Sequence, residues 1–123
     1  MQIERRTDAA TRVVVLRVSG DLGDRDLLSL VDEIANARDV EADFSILIDL
    51  READGRSVTT AGVRTLAQQP LVLSQGSRRA VVVPTQLGFG MARMYELLRH
   101  DRGATRAFRD YDEALRWVET GVT

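Results

Sequence analysis

The chain has 123 residues, a formal net charge of −2, 44% hydrophobic and 29% charged residues, and no cysteine. This is the size and composition of one globular domain, which hides roughly two-thirds of its unfolded surface without covalent staples. It excludes disulfides, thiolate metal sites and cysteine nucleophiles, and it gives non-specific nucleic-acid binding no electrostatic footprint.

In chain order, residues 3–6 read as a short edge strand, and Thr7-Asp8-Ala9-Ala10 as a turn. Residues 12–18 are rich in β-branched side chains and suit a central strand ended by Gly20. Asp24 or Asp26 is placed to cap a helix whose Leu27, Leu30, Val31 and Ile34 share one face. Residues 44–50 form a second buried strand, and 51–57 read as a polar loop around Asp54-Gly55. Thr59 or Thr60 caps a helix running toward Gln69, with Val63, Leu66 and Ala67 inward; residues 71–75 fit neither period. Residues 79–84 give a third buried strand. Leu87, Met91, Met94, Tyr95 and Leu98 then form a helical stripe that Gly103 terminates. Residues 105–109 are a short strand, and Asp110 with Glu113 is a capping box for a last helix burying Ala114, Leu115, Trp117 and Val118.

The order β-β-α-β-α-β-α-β-α predicts a single α/β domain over 1–123. Helical connections between successive strands require right-handed crossovers and a mostly parallel sheet, with one antiparallel strand from the N-terminal hairpin at an edge.

No catalytic constellation is legible. All 17 lysine-plus-arginine positions are arginine, which removes Schiff-base and P-loop lysines. Gly88-Phe89-Gly90 opens like a dinucleotide fingerprint, but its third glycine position is Arg93 and four residues separate it from the strand. The glycines read better as a place where helix backbone approaches another element. His100, the single histidine, sits at a helix end, where the dipole favours a cation. Asp49 and Asp54 are the acids near a strand's C-terminal end, the position a magnesium or acid–base site would need. Thr59 and Thr60 open a helix between Arg56 and Arg64, so free N–H groups there suit an anion or acidic partner. Phe89 lies off the apolar stripe of its helix. With Met91, Met94 and Tyr95 it makes a candidate surface for an apolar ligand or membrane.

Four stretches, Val15-Leu16-Arg17-Val18-Ser19-Gly20 with the Asp-rich helix start after it, Ile46-Leu47-Ile48-Asp49-Leu50, residues 88–96 and residues 108–118, occur in an order that resembles the SpoIIAA-like proteins of the STAS superfamily. The resemblance implies a four- or five-stranded mixed, mostly parallel sheet with helices mainly on one face. It implies no catalysis and action by protein–protein contact, some relatives being linked to nucleotides or lipids. The anti-sigma-factor antagonists of that group carry Asp-Ser-Ser-Gly at the helix start where this chain reads Ser57-Val58-Thr59-Thr60-Ala61-Gly62, so no phosphosite is carried over.

The expectation is therefore a non-enzymatic cytoplasmic module with no cofactor, metal or nucleic acid. Its partner is a protein met through Arg56, Thr59, Thr60 and Arg64, a second copy of the chain being one form of such a partner. The alternative is an apolar small-ligand or lipid-binding domain with weak peripheral membrane attachment through the helix from Leu87 to Leu98. A lined cavity beneath that helix favours the ligand; a sealed interface favours the protein partner. The opening residues 1–6 lack the apolar stretch of a signal peptide.

Overall fold

The computed structural model describes residues 1–35, 44–69, 76–101 and 103–122. Five strands, β1 (Gln2–Asp8), β2 (Val13–Gly23), β3 (Ser45–Ser57), β4 (Arg79–Val82) and β5 (Thr105–Phe108), alternate with α1 (Asp24–Ala35), α2 (Thr60–Ala67), α3 (Gln86–Arg99) and α4 (Tyr111–Thr120). The sheet runs β1-β2-β3-β4-β5, with β1 antiparallel to β2 and every other pair parallel. The ambiguous stretch 71–75 and the side chain of Ile34 lie outside what is described.

Alternation along the strands creates two cores. On one face Val13, Leu47, Ala80, Val82 and Phe108 meet Ala114, Trp117 and Val118 of α4. On the other, Val18 and Leu22 meet Leu27 and Leu30 of α1, Val63 of α2 and Tyr95 of α3. Val81 and Val83 of the same face meet Ala92. Among the described residues, three helices thus cover one face and α4 alone the other, the one-sided bias expected.

Several boundaries differ from the sequence reading. The first turn starts later: Thr7 and Asp8 still pair with Val14 and Val13, and Asp8 Oδ1 accepts from the Ala10 and Thr11 N–H groups. Gly20 does not end β2, and residues 51–57 are strand rather than loop. Gly20 pairs with Ala53, Asp21 with Asp54 and Gly23 with Ser57. Between Arg17/Ser19 and Asp21/Gly23 on β2 the partner β3 advances by one extra residue each time, from Asp49 to Glu52 and from Asp54 to Ser57. Such bulges break the two-residue alternation from which strands are recognised. Gly20, with φ of +86°, absorbs the irregularity. Helix α3 stops at Arg99 because His100 takes the left-handed conformation, φ 51°, so His100 rather than Gly103 ends it. Within the α3 stripe Leu87 is 75% and Leu98 36% exposed, and Ala92 takes the central buried position with Tyr95.

Candidate functional site

The face under α1, α2 and α3 is hollow. A cavity of about 420 Å³ lies between the sheet and these helices, within the ~300–1,000 Å³ usual for small-ligand sites. Ile48 and Leu50 of β3 and Val81 of β4 form its floor, Leu27 and Leu30 one wall, Val63 and Leu66 the second, and Met91, Ala92 and Tyr95 the third. The bulge in β3 places Ala53 beside Leu50 on this face, which carries the floor outward to Asp54 and Arg56. Pro84, Thr85, Leu87 and Gly88 bound the opposite side. Gly88 permits this arrangement: a Cβ there would collide with the Val83 side chain, so the first turn of α3 lies directly on the end of β4. Gly90 has nothing near its would-be Cβ. The glycines therefore serve close approach at one position of the pair.

Polar groups meet the cavity at its two ends. At one, Arg56 clasps Asp54 through Nε and Nη2 at 3.0 and 2.7 Å. The Arg56 hydrogen bonds hold the Asp54 carboxyl below its ordinary range. At the other, Arg79 extends from the start of β4 and is 6% exposed. Its Nε donates to Thr105 Oγ1 at 3.1 Å and its Nη2 to Asp101 Oδ2 at 2.6 Å. Burial pushes the Asp101 carboxyl up, but hydrogen bonds from Thr105 and the Arg79 charge outweigh it and hold the group low. Tyr95 is 9% exposed beside this cluster, and burial raises its hydroxyl above the ordinary range.

The N-terminus of α2 holds an anion supplied by the chain itself. Asp24 accepts from the Thr59 N–H at 2.9 Å and from its hydroxyl at 2.6 Å, while Thr59 Oγ1 accepts from Gly62 N–H at 3.0 Å. A Cβ on Gly62 would overlap the Asp24 carboxylate. Thr59, not Thr60, is the cap. Of the residues expected to gather around an anion, the structure brings Thr59 to Asp24 and Arg56 to Asp54, and leaves Thr60 and Arg64 exposed. Of the two acids offered at the start of α1, Asp26 accepts from Gly23 N–H, and Asp24 turns to Thr59.

The two acids flagged on β3 do not meet. Asp49 is 2% exposed, takes two side-chain hydrogen bonds from Arg51 at 2.9 Å and has Arg17 at 3.8 Å. Burial raises its carboxyl, but the Arg51 hydrogen bonds and the charges of Arg51 and Arg17 win and hold it below the usual range. Arg51 in turn lies 4.2 Å over the Tyr111 ring, tying the start of α4 to the sheet. Among the described residues no group of three or more His, Cys, Asp or Glu is arranged to hold a metal.

Of the four residues expected at an apolar surface, Met91 and Tyr95 line the cavity, whereas half-buried Phe89 and Met94 do not. Sequence reasoning missed Arg79, which the reading of residues 79–84 as a buried strand leaves without a role. The available signal was its period: Arg79, Val81 and Val83 alternate with Ala80 and Val82, which belong to the α4 core. Arg93, at the third glycine position of the fingerprint, is exposed and pairs with Glu96 at 2.9 Å.

No protein-family model matches the chain, and no curated protein matches it. Among solved structures it is similar to an uncharacterized protein of the DUF3478 family with a SpoIIAA-like fold from Shewanella loihica PV-4. The likeness has a TM-score of 0.60 at 17% identity and covers 95% of this chain and 92% of the other. The chain has the SpoIIAA-like fold: among the described residues, a five-stranded mixed, mostly parallel sheet with four helices. Among the described residues, no helix is long and apolar enough to cross a membrane.

Proposed function

We propose that the protein is a non-enzymatic binding domain for a small apolar ligand, held between the sheet and helices α1 to α3. The observation that carries this reading is the cavity of about 420 Å³ under α3. Apolar surface withdrawn from water contributes roughly 25 cal/mol per Å², and most of the lining is aliphatic. Met91 on the α3 side adapts its shape to an occupant. Leu87, 75% exposed at the rim, would be covered when the site is filled.

The test is titration of the purified chain with a neutral environment-sensitive dye, N-phenyl-1-naphthylamine, followed by displacement with methyl decanoate. Saturable fluorescence enhancement that Met91→Trp abolishes supports the reading. Absence of binding to the wild type refutes it and leaves a protein partner as the main candidate.

That second reading, a protein-contact module, has exposed Thr60 and Arg64 on α2 in its favour. Replacing Thr59, Thr60 and Arg64 together should then reduce recovery of any partner captured by the wild type.

A further inference from the structure

We infer that the occupant of the cavity is an amphiphile with a carboxylate head, and that the head lies at the inner end against Arg79 and Tyr95. The inference rests on the apolar-ligand reading and adds the chemistry of the ligand to it.

Charge balance separates the two ends. At the rim Asp54 and Arg56 neutralise each other in a two-pronged clasp. At the inner end two guanidiniums share one carboxylate. Arg79 Nη2 donates to Asp101 Oδ2, and Arg99 Nε lies 3.9 Å from the same oxygen. The nearby Glu96 is already engaged by Arg93 and by the Ala107 N–H, each at 2.9 Å. Among the described residues, the cluster of Arg79, Arg99 and Asp101 therefore carries one positive charge in excess.

Among the described residues, donors at that end remain unused. Arg79 is 6% exposed and lines the cavity. Its Nε and Nη2 have partners, and its Nη1 has none among the described residues. The Tyr95 hydroxyl, on a residue 9% exposed that also lines the cavity, makes no hydrogen bond among the described residues. A carboxylate taken from water into an aliphatic cavity is strongly disfavoured unless a charge and hydrogen bonds meet it. An arginine with a free N–H and a neutral phenol meet it with charge-assisted bonds. The chain of the ligand then runs past Val81, Ile48 and Leu50 toward Leu87. At ~30 Å³ of liquid volume per non-hydrogen atom, the space accepts a chain of about ten carbons with its head.

The experiment displaces the neutral dye from the full chain with decanoate, methyl decanoate and decylamine, all below their aggregation concentrations. Decanoate is expected to bind at least tenfold tighter than methyl decanoate, and decylamine more weakly than either. In Arg79→Gln the advantage of the acid should disappear while the ester binds as before. Equal affinity of acid and ester for the wild type overturns the inference and leaves the apolar-ligand reading intact. Failure of the dye and all three ligands to bind removes that reading itself. Loss of the acid preference in Arg56→Ala but not in Arg79→Gln puts the head at the rim and also overturns the inference. Should Arg79→Gln not fold, Tyr95→Phe removes one hydroxyl and is expected to lower decanoate affinity severalfold with methyl decanoate unchanged. An equal loss for both ligands would count against the inference.

Discussion

The two faces of the sheet are covered in opposite ways. Behind β3, β4 and β5 one helix, α4, lies flush, and Trp117 meets Phe108 with ring centroids 5.6 Å apart. Arg106 closes that seam by lying 5.3 and 5.4 Å from the Phe108 and Trp117 rings. In front, three helices surround a space of about 420 Å³. Both faces are built from the same alternating valines, leucines and isoleucines, so hydrophobicity does not distinguish them. What distinguishes them is the side chain at the seam: an indole on a single close helix, or methionine, alanine and glycine on α3, where Gly88 meets Val83 and Ala92 meets Val81 and Val83. A face whose lining atoms lack partners gives up dispersion energy that a filled face retains. Stability should therefore reside behind the sheet and binding in front of it.

The largest expected effect follows directly. Trp117→Ala empties the sealed core and should cost about 3–5 kcal/mol in urea unfolding. Ala114, 0% exposed in the same core, should not tolerate enlargement: Ala114→Leu is expected to cost about 1–3 kcal/mol. Met91→Ala removes a side chain that already faces empty space and should cost ~1 kcal/mol or less. Similar losses for Trp117→Ala and Met91→Ala would dissolve the distinction between the faces.

A smaller effect tests how α4 is fastened. Arg51 satisfies buried Asp49 and stacks on Tyr111. Arg51→Ala leaves the carboxylate to Arg17 alone and should cost about 1–3 kcal/mol, the lower part of the range because Arg51 is itself 40% exposed. The same group sets an acid limit. A carboxyl held low in the folded state contributes stability that is present above its unfolded pKa, ~3.9, and is lost as pH falls through the folded value. Asp49 and Asp101 are both held low. Wild-type stability should therefore fall below about pH 4, and Asp49→Asn should flatten that decline.

The element order and the mostly parallel sheet with an antiparallel N-terminal edge were readable because period and turn chemistry agreed along most of the chain. Residues 51–57 were misread for a local reason. Two bulges interrupt the alternation there, and Arg51, Glu52, Gly55, Arg56 and Ser57 are exposed, so no apolar stripe marks the strand. The cavity was legible only as a question about α3. Its volume depends on how far three helices stand from the sheet, and no local pattern encodes that distance. Arg79 shows the same limit: its place in an apolar segment was visible, whereas its partners Asp101 and Thr105 come from residues brought close by β5.

A smaller effect still separates the capped corner of α2 from its helical propensity. Gly→Ala inside a helix ordinarily stabilises by roughly 0.5–1 kcal/mol. At Gly62 the sign should reverse, because the new methyl displaces the Asp24 carboxylate from Thr59. Gly62→Ala is expected to lower the urea midpoint, and Asp24→Gly should erase that penalty in a double-mutant cycle. Additive effects would show that the carboxylate moves aside without loss, and that this end of α2 is free to take another anion.

The smallest expected change in stability carries the most information about the front face. Met91→Trp adds an indole where the cavity has room, in contrast to any enlargement behind the sheet. Trp is large enough to take up part of the 420 Å³, and burying its ring gains contact area while the longer reach across the cavity restricts its rotamers. These terms oppose each other, so unfolding in urea should change by less than about 1 kcal/mol. Dye binding should nevertheless vanish, because the added ring occupies the volume between Val81 and Leu66 that a ligand would use. A destabilisation as large as that of Ala114→Leu would mean that the front is packed like the back and that the hollow closes in solution. Unchanged stability with unchanged dye binding would place the dye elsewhere on the molecule. Stability held constant while binding is lost is the result expected of a face that remains open for a ligand.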